Sequence, residues 1–172
     1  MILTHASAAP FKYEPNRLYD QTEFGNGKPR GLWLSDDSDF GWREWCDREC
    51  WNQENLQHVT EFEIVPDSGV LMLSTLDELR SFASWYGGHP VFRDVADDLG
   101  RRWIDWERVA QDYSGILITP YHRVRSLEMI WYQGWDCASG CIWELDAIRP
   151  VELRTPLSLR KSGLRELAYD LE

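Results

Sequence analysis

Alternating apolar and polar positions predict a series of short strands along this chain. Residues 1–5 and 31–35 are apolar enough for strands. Residues 56–65 alternate, with Phe62 on one face and Glu63 on the other, which is typical of a half-buried strand. Further strands are predicted at residues 70–74, 116–119, 124–132, 141–144 and 151–154.

Helical signals fall between these strands. Thr75 and Glu78 have the spacing of a capping box, and this predicts a helix through Tyr86 that ends at Gly87 and Gly88. Further helices are predicted from a cap at Ser38 or Asp39 to about residue 51, over residues 91–112 in two pieces, and in the last ten residues.

The order of these elements favours an α+β fold. Strands and helices are interspersed without strict alternation, so we expect one domain over residues 1–172 with a mostly antiparallel sheet. The glycines at 25, 27 and 31 precede a strand and do not follow one, so they do not match a dinucleotide-binding turn. A P-loop requires Ser or Thr directly after its lysine, and Lys28 is followed by neither.

Composition limits the partners. The formal charge of −11 disfavours binding to bulk nucleic acid, and the clusters of basic residues at 101–102 and 154–165 are interpreted as solvated surface. No apolar run is long enough for a membrane span, and the N-terminus lacks the features of a signal peptide, so we expect a cytoplasmic protein. The ten tryptophans belong in the core or line a pocket for a planar ligand.

The four cysteines form two C-x₃-C pairs, Cys46 with Cys50 and Cys137 with Cys141. Four thiolates could complete a structural zinc site, although C-x₂-C is the commoner arrangement. Cys46 and Cys50 also lie one turn apart on an apolar helix face, where cysteine packs as a small hydrophobic residue. We therefore expect reduced cysteines and no bound metal.

A strand aromatic followed by a helix aromatic can hold a flat ring between two side chains. Trp33 lies in the strand 31–35, which ends at Ser35, and Trp45 lies in the following helix. The alternative is that both tryptophans are ordinary core residues. The pattern resembles the nicotinamide clamp of ADP-ribosyltransferases with a His-Tyr-Glu signature, with Trp33 and Trp45 in place of the family's tyrosines. This resemblance implies that Trp33, Ser35 and Trp45 bind NAD.

The N-terminal residues 3–7, Leu-Thr-His-Ala-Ser, resemble the first strand of the same family. That strand ends in His-Gly-Ser or His-Gly-Thr, and Ala6 replaces the glycine here. The resemblance implies that His5 and Ser7 hold the ribose and carboxamide of NAD. The alternative from the residues alone is a terminal histidine at the surface.

Residues 112–116 and 139–150 resemble the closing part of the family's fold, anchored on Ile148 and Pro150. In this alignment Ser139 occupies the position of the catalytic glutamate, and serine cannot supply negative charge. Asp136, three residues upstream, is our candidate for the missing carboxylate. Glu144 has the odd spacing that places it on the opposite face of the strand from Ser139.

The resemblance implies an ADP-ribosyltransferase-like fold, a split sheet with a central NAD cleft and flanking helices. It implies an NAD-dependent mono-ADP-ribosyltransferase, of the glycosyltransferase class, with NAD as its substrate. The candidate catalytic residues are His5, Asp136 and Ser139. The acceptor could be a protein, a nucleic-acid base, a small molecule or water. The alternative is a non-catalytic acidic binding or inhibitor protein with the same fold, bound to a nucleotide or a protein partner.

Overall fold

The strands and helices of the fold are known for most of the chain. The computed structural model describes residues 1–22, 27–88, 103–123 and 127–151. The described strands are β1 (Ile2–Ser7), β2 (Leu32–Ser35), β3 (His58–Ile64), β4 (Val70–Leu73), β5 (Gly115–Ile118), β6 (Ser139–Ile142) and β7 (Ile148–Pro150). The helices are α1 (Trp42–Arg48), α2 (Leu76–Tyr86) and α3 (Trp106–Asp112), with 3₁₀ segments at Gln53–Asn55, Leu127–Gly134 and Leu145–Ala147.

These strands pair into one sheet with the order β4-β5-β6-β2-β1-β3-β7. Only β4 and β5 are parallel, and every other pairing between the described strands is antiparallel. The prediction of an α+β fold with a mostly antiparallel sheet is confirmed.

Two apolar cores lie on opposite faces of the sheet, because successive side chains of the central strands point to opposite faces. In β5, Ile116 and Ile118 belong to a core rich in aromatic residues, and Leu117 belongs to a second core. The first core contains Trp106, Trp131, Trp135 and Trp143, which explains much of the tryptophan content. The buried residues of the second core are aliphatic apart from Phe62. The sheet is therefore covered by apolar side chains on both faces.

The capping box that opens α2 is present as predicted. The Thr75 hydroxyl accepts from the Glu78 backbone N–H at 3.2 Å, and the Glu78 carboxylate accepts from the Thr75 N–H at 2.9 Å. The backbone contacts on this carboxylate lower its pKa, with the N–H groups of Ser74 and Thr75 as the main causes. The helix ends at Tyr86, as the glycine pair indicates.

Other predictions require correction or lie outside the described residues. Residues 127–134 form 3₁₀ turns instead of a strand, because apolar content alone does not distinguish a buried strand from a buried helical segment. The strand predicted at 141–144 lies at Ser139–Ile142. The strand predicted to begin at residue 151 is not found there, because β7 ends at Pro150, and the remaining predicted residues, 152–154, lie outside the described residues. Helix α3 covers the end of the predicted 91–112 region, whose first part lies outside the described residues, as does the predicted C-terminal helix. Within the described residues, no helix has the length and apolar character that crossing a membrane requires.

Candidate functional site

A cavity opens where two halves of the sheet meet. One half contains β4, β5, β6 and β2, and the other contains β1, β3 and β7. Strand β1 pairs along its whole length with β3, whereas it meets β2 at a single residue pair, Thr4 opposite Ser35. The cavity has a volume of about 310 Å³. We call it the central cavity, and its lining residues are Thr4, His5, Ala6, Lys28, Trp33, Leu34, Ser35, Trp42, Asp136, Cys137 and Ser139.

Five of the residues selected from the sequence line the central cavity: His5, Trp33, Ser35, Asp136 and Ser139. They come from three separate parts of the chain, and the pairing of β2 with β6 brings two of these parts together by placing Ser35 opposite Ser139. The other two candidates, Ser7 and Trp45, are not among the lining residues.

Those two candidates have other contacts. The Ser7 hydroxyl donates to the Ala9 carbonyl at 2.7 Å, so it closes its own turn at the end of β1. Trp45 stacks on Trp42 with ring centroids 5.0 Å apart and planes within 7° of parallel. The helix aromatic at the cavity is therefore Trp42, with Trp45 packed against it. The sequence contained this alternative, because Trp42 is the next tryptophan upstream in the same predicted helix.

His5 is held by the neighbouring strand. Its Nδ1 lies 3.0 Å from the Trp33 carbonyl oxygen, and its ring packs edge-on against Phe11 at 4.9 Å. Because a carbonyl only accepts, Nδ1 must carry the proton in this hydrogen bond. In the neutral ring, Nε2 is therefore an acceptor, suited to a ligand hydroxyl.

Trp33 and Trp42 supply the aromatic part of the lining. The Trp33 ring packs at 5.0 Å against the buried Trp135, which fixes it to the aromatic core. The Trp42 backbone N–H donates to the Ser35 hydroxyl at 2.7 Å, so the first residue of α1 is tied to the end of β2. Both aromatic positions thus depend on the β2 strand.

The Asp37 carboxylate connects the strands and the helix around the cavity. It accepts from the Thr4 hydroxyl at 2.9 Å, from the Ser35 hydroxyl at 2.7 Å and from the Arg43 guanidinium at 2.8 Å. These donors belong to β1, β2 and α1. Asp37 therefore joins both halves of the sheet at the point where they have only one paired position.

The loop before β6 places Asp136 and Ser139. The Trp135 indole N–H donates to the Ser139 carbonyl at 3.2 Å, and the Ser139 hydroxyl donates to the Cys137 carbonyl at 3.1 Å. The Ala138 N–H donates to the Phe40 carbonyl at 2.7 Å, which fastens this loop to the residues before α1. Asp136 is half-buried and lines the cavity, so it can present a carboxylate to a ligand.

Glu144 is not part of this lining. Its carboxylate accepts from the Ser114 hydroxyl at 2.6 Å, beyond the end of β6. Among the described side chains at the cavity, Asp136 is therefore the carboxylate best placed to act on a ligand.

The cysteines do not form a metal site among the described residues, where no group of three or more His, Cys, Asp or Glu side chains is placed to hold a metal. Cys46 is buried, whereas Cys50 is exposed. Burial raises the pKa of the cavity-lining Cys137 to about 12, and it also raises the pKa values of Cys46 and Cys141. Cys137 is therefore a neutral thiol near pH 7, which makes it a poor nucleophile and a poor metal ligand.

Lys28 is a cavity residue that the sequence patterns did not indicate. Its ammonium lies 5.2 Å from the centre of the Trp33 ring, and its methylene stem passes beside Gly134. A lysine in a glycine-containing loop has no distinctive spacing outside a P-loop, so only the structure identifies this position.

No protein-family model, curated protein or solved structure matches this chain. The resemblance to ADP-ribosyltransferases therefore depends on the quoted sequence motifs alone.

Proposed function

We propose that this protein binds NAD in the central cavity and transfers ADP-ribose from it to an acceptor, with release of nicotinamide. The observation that carries the proposal is that five residues, chosen from motifs at the start, the early third and the end of the chain, line one cavity. These motifs are far apart in sequence, and the proposed site needs all of them in one place.

The size and walls of the cavity suit part of a dinucleotide. Binding sites for small molecules have volumes of about 300–1,000 Å³, so about 310 Å³ accommodates a nicotinamide ring and its ribose but not a whole NAD molecule. Trp33 and Trp42 offer flat apolar surfaces to the ring, and an electron-poor pyridinium stacks well on indole. The adenosine end would extend out of the cavity.

The polar lining residues fit the proposed chemistry. The bond between nicotinamide nitrogen and ribose C1′ breaks, its electron pair leaves with the nicotinamide, and C1′ develops oxocarbenium-like positive charge. The Asp136 carboxylate stabilises this charge, and His5 Nε2 accepts a hydrogen bond from a ribose hydroxyl. The acceptor then bonds to C1′ and loses its proton. The protein contributes to this reaction by orienting the substrate and by stabilising the charge that develops at C1′.

One observation favours a second function, a binding protein without catalysis. Ser139 stands where the family has its glutamate, and its hydroxyl already donates to the Cys137 carbonyl within the same loop. If Asp136 does not act in place of that glutamate, the cavity binds a nucleotide and leaves it intact.

Release of nicotinamide separates the two functions. Wild-type protein should release nicotinamide from NAD, with water as the acceptor if no other is present. Asp136→Asn keeps the shape of the side chain and removes its charge, so it should bind NAD with nearly unchanged affinity and turn over about 10²-fold more slowly. Asp146→Asn, an exposed carboxylate outside the cavity lining, is the matched control and should keep wild-type turnover.

The other outcomes are equally informative. Full turnover by Asp136→Asn would remove Asp136 from the catalytic role. NAD binding without nicotinamide release by the wild type, with protein, nucleic-acid and small-molecule acceptors each supplied, would establish the binding-protein alternative. Absence of NAD binding would contradict the transferase function and would restrict the binding-protein alternative to another nucleotide or a protein partner.

A further inference from the structure

Three tryptophans form an aromatic cluster that extends from the central cavity to the protein surface. Trp42 lines the cavity and stacks on Trp45. The Trp51 ring lies 5.5 Å from Trp42 and 5.8 Å from Trp45, and it is steeply inclined to both, at 76° and 72°. Trp51 therefore lies beside the stacked pair and contacts both members, while 51% of its own surface is exposed. We call these three residues the tryptophan cluster.

The turn that ends α1 holds Trp51 in this cluster. The Trp51 N–H donates to the Cys46 carbonyl at 2.9 Å and the Cys50 N–H donates to the Asp47 carbonyl at 3.3 Å, which is the pattern of a Schellman motif. Cys50 has a φ of 50°, in the left-handed region where glycine is usual because a β-carbon is disfavoured. The motif turns the chain back on the helix, so that Trp51 packs against Trp45.

The Schellman motif alone does not account for a tryptophan at position 51. The apolar contact that accompanies this motif requires only a side chain that reaches the helix, and a smaller apolar residue would leave less surface in water. Single apolar residues are common on protein surfaces, but a contiguous aromatic patch at the edge of a cavity is typical of a ligand-binding site. The exposed ring surface of Trp51 therefore needs a ligand that it can cover.

The ligand proposed for the cavity has a second flat ring that remains outside. A volume of about 310 Å³ accommodates the nicotinamide ring and its ribose, and the adenosine half of NAD extends past them. Adenine is planar and uncharged, and its π face stacks on aromatic side chains. The tryptophan cluster provides such a side chain in direct contact with the cavity wall Trp42.

We infer that the tryptophan cluster is the adenine subsite: the base stacks on Trp51, the nicotinamide lies in the cavity against Trp42, and the diphosphate between them stays in solvent. This inference rests on the proposed function and specifies its substrate as a dinucleotide instead of a nicotinamide mononucleotide. Because stacking uses the π face that every base has, the subsite accepts other purines in place of adenine.

Two ligands that differ by the adenosine monophosphate unit test the subsite. Wild-type protein should bind NAD about tenfold more tightly than nicotinamide mononucleotide in calorimetric titrations, since stacking of one base on an aromatic side chain has an effect of that order. Trp51→Ala should lose most of this preference, because its affinity for NAD falls about tenfold towards that for the mononucleotide. Trp51→Phe keeps an aromatic face and should keep most of the preference.

A control variant and a base analogue complete the test. Trp85→Ala removes another exposed tryptophan, which lies in α2 and outside the cavity lining, and it should keep the wild-type preference for NAD. Nicotinamide guanine dinucleotide has a different purine and should bind wild type within a few-fold of NAD, as stacking without base-specific hydrogen bonds requires. This second measurement does not depend on the folding of any variant.

Several results would overturn the inference. Equal binding of NAD and the mononucleotide by the wild type would remove the adenine subsite and leave the proposed function intact. An equal loss for both ligands in Trp51→Ala would make Trp51 a support for Trp42 only. Much weaker binding of the guanine dinucleotide would show hydrogen-bond recognition of adenine in place of stacking. If wild type bound neither NAD nor the mononucleotide, the proposed function would fail together with this inference.

Discussion

Two neighbouring carboxylates, Asp36 and Asp37, fix the turn that leads from β2 into α1. Asp37 binds groups of both sheet halves, as described above. Asp36 is only 3% exposed, and it accepts from the Ser38 hydroxyl and, at 2.7 Å, from the Thr119 hydroxyl at the end of β5. Its backbone N–H donates to the Ala138 carbonyl, beside the catalytic candidate Asp136. Asp36 and Asp37 thus hold in position the segments that carry the polar lining residues of the cavity.

The surroundings of Asp36 make its contribution depend on pH. Burial raises the pKa of this carboxyl, but the hydrogen bonds from Ser38 and Thr119 outweigh burial, and the pKa lies below its usual value. A carboxyl with a lower pKa in the folded than in the unfolded state stabilises the fold above the unfolded pKa, about 3.9. This stabilisation is lost as the pH falls through the folded pKa.

Thr119→Val tests this contribution, because it removes one hydrogen bond to Asp36 and nearly keeps the side-chain volume. Denaturant unfolding at pH 7 should show a loss of about 1–3 kcal/mol, typical of a hydrogen bond to a charged group. The loss should shrink at acid pH, where Asp36 becomes protonated, and the acid-unfolding midpoint should move to higher pH. Thr22→Val breaks a similar bond to the exposed Asp20 and should have no measurable effect. An equal loss at pH 7 and at a pH below the folded pKa of Asp36 would assign the effect of Thr119→Val to packing.

Single residues show what the sequence could predict of the site. His5, Trp33 and Ser139 were predictable because each lies in or beside a short apolar strand, and strand motifs keep their spacing in the fold. Lys28 was not predictable, because it reaches the cavity through a contact with Trp33 that no local pattern encodes.

At the scale of elements, the start of α1 illustrates how tertiary contacts override local signals. Ser38 and Asp39 have good capping side chains, yet the helix begins at Trp42 after Gly41. The Ser38 hydroxyl donates to Asp36, and the Asp39 carboxylate accepts from the Tyr121 N–H at 2.7 Å. Both side chains are thus used in the turn, and the helix starts three residues later than a cap at Ser38 would place it.

This start determines which aromatic residue of α1 lines the cavity. Trp42 lines it, and Trp45 stacks on Trp42 from outside the lining. If the proposed site is correct, Trp42→Ala should weaken binding of nicotinamide mononucleotide by on the order of 1–3 kcal/mol, since it removes one aromatic wall. Trp45→Ala should have a smaller effect, because it removes only a support for that wall.

Both variants can be compared by calorimetry, after circular dichroism has shown that each is folded. The sequence pattern predicts this role for Trp45. A large loss for Trp45→Ala with no change for Trp42→Ala would restore that assignment and would mean that α1 presents a different face to the ligand.

At the scale of the whole molecule, the two halves of the sheet are joined on one face and open on the other. Leu3 of β1, Leu34 of β2 and Phe62 of β3 are all buried in the same apolar core. The central cavity lies between the same strands, where β1 and β2 share one residue pair. The shared core joins the halves, so a cavity between them does not require two independent domains.

The single-domain prediction for residues 1–172 can be tested through the placement of the tryptophans. None of the ten lies in β1, β3 or β7, so tryptophan fluorescence reports mainly on the half that contains β2, β4, β5 and β6. Pulsed hydrogen exchange with mass spectrometry reports on the other half through peptides that cover β3. Because the apolar core around Leu3, Leu34 and Phe62 spans both halves, the two probes should give the same denaturant midpoint.

NAD at about 100 times its dissociation constant should stabilise both halves equally, by about 2.7 kcal/mol, since residues of both line the cavity. Separate midpoints would show that the halves unfold independently, and a shift confined to the fluorescence signal would place the ligand outside the cleft between them.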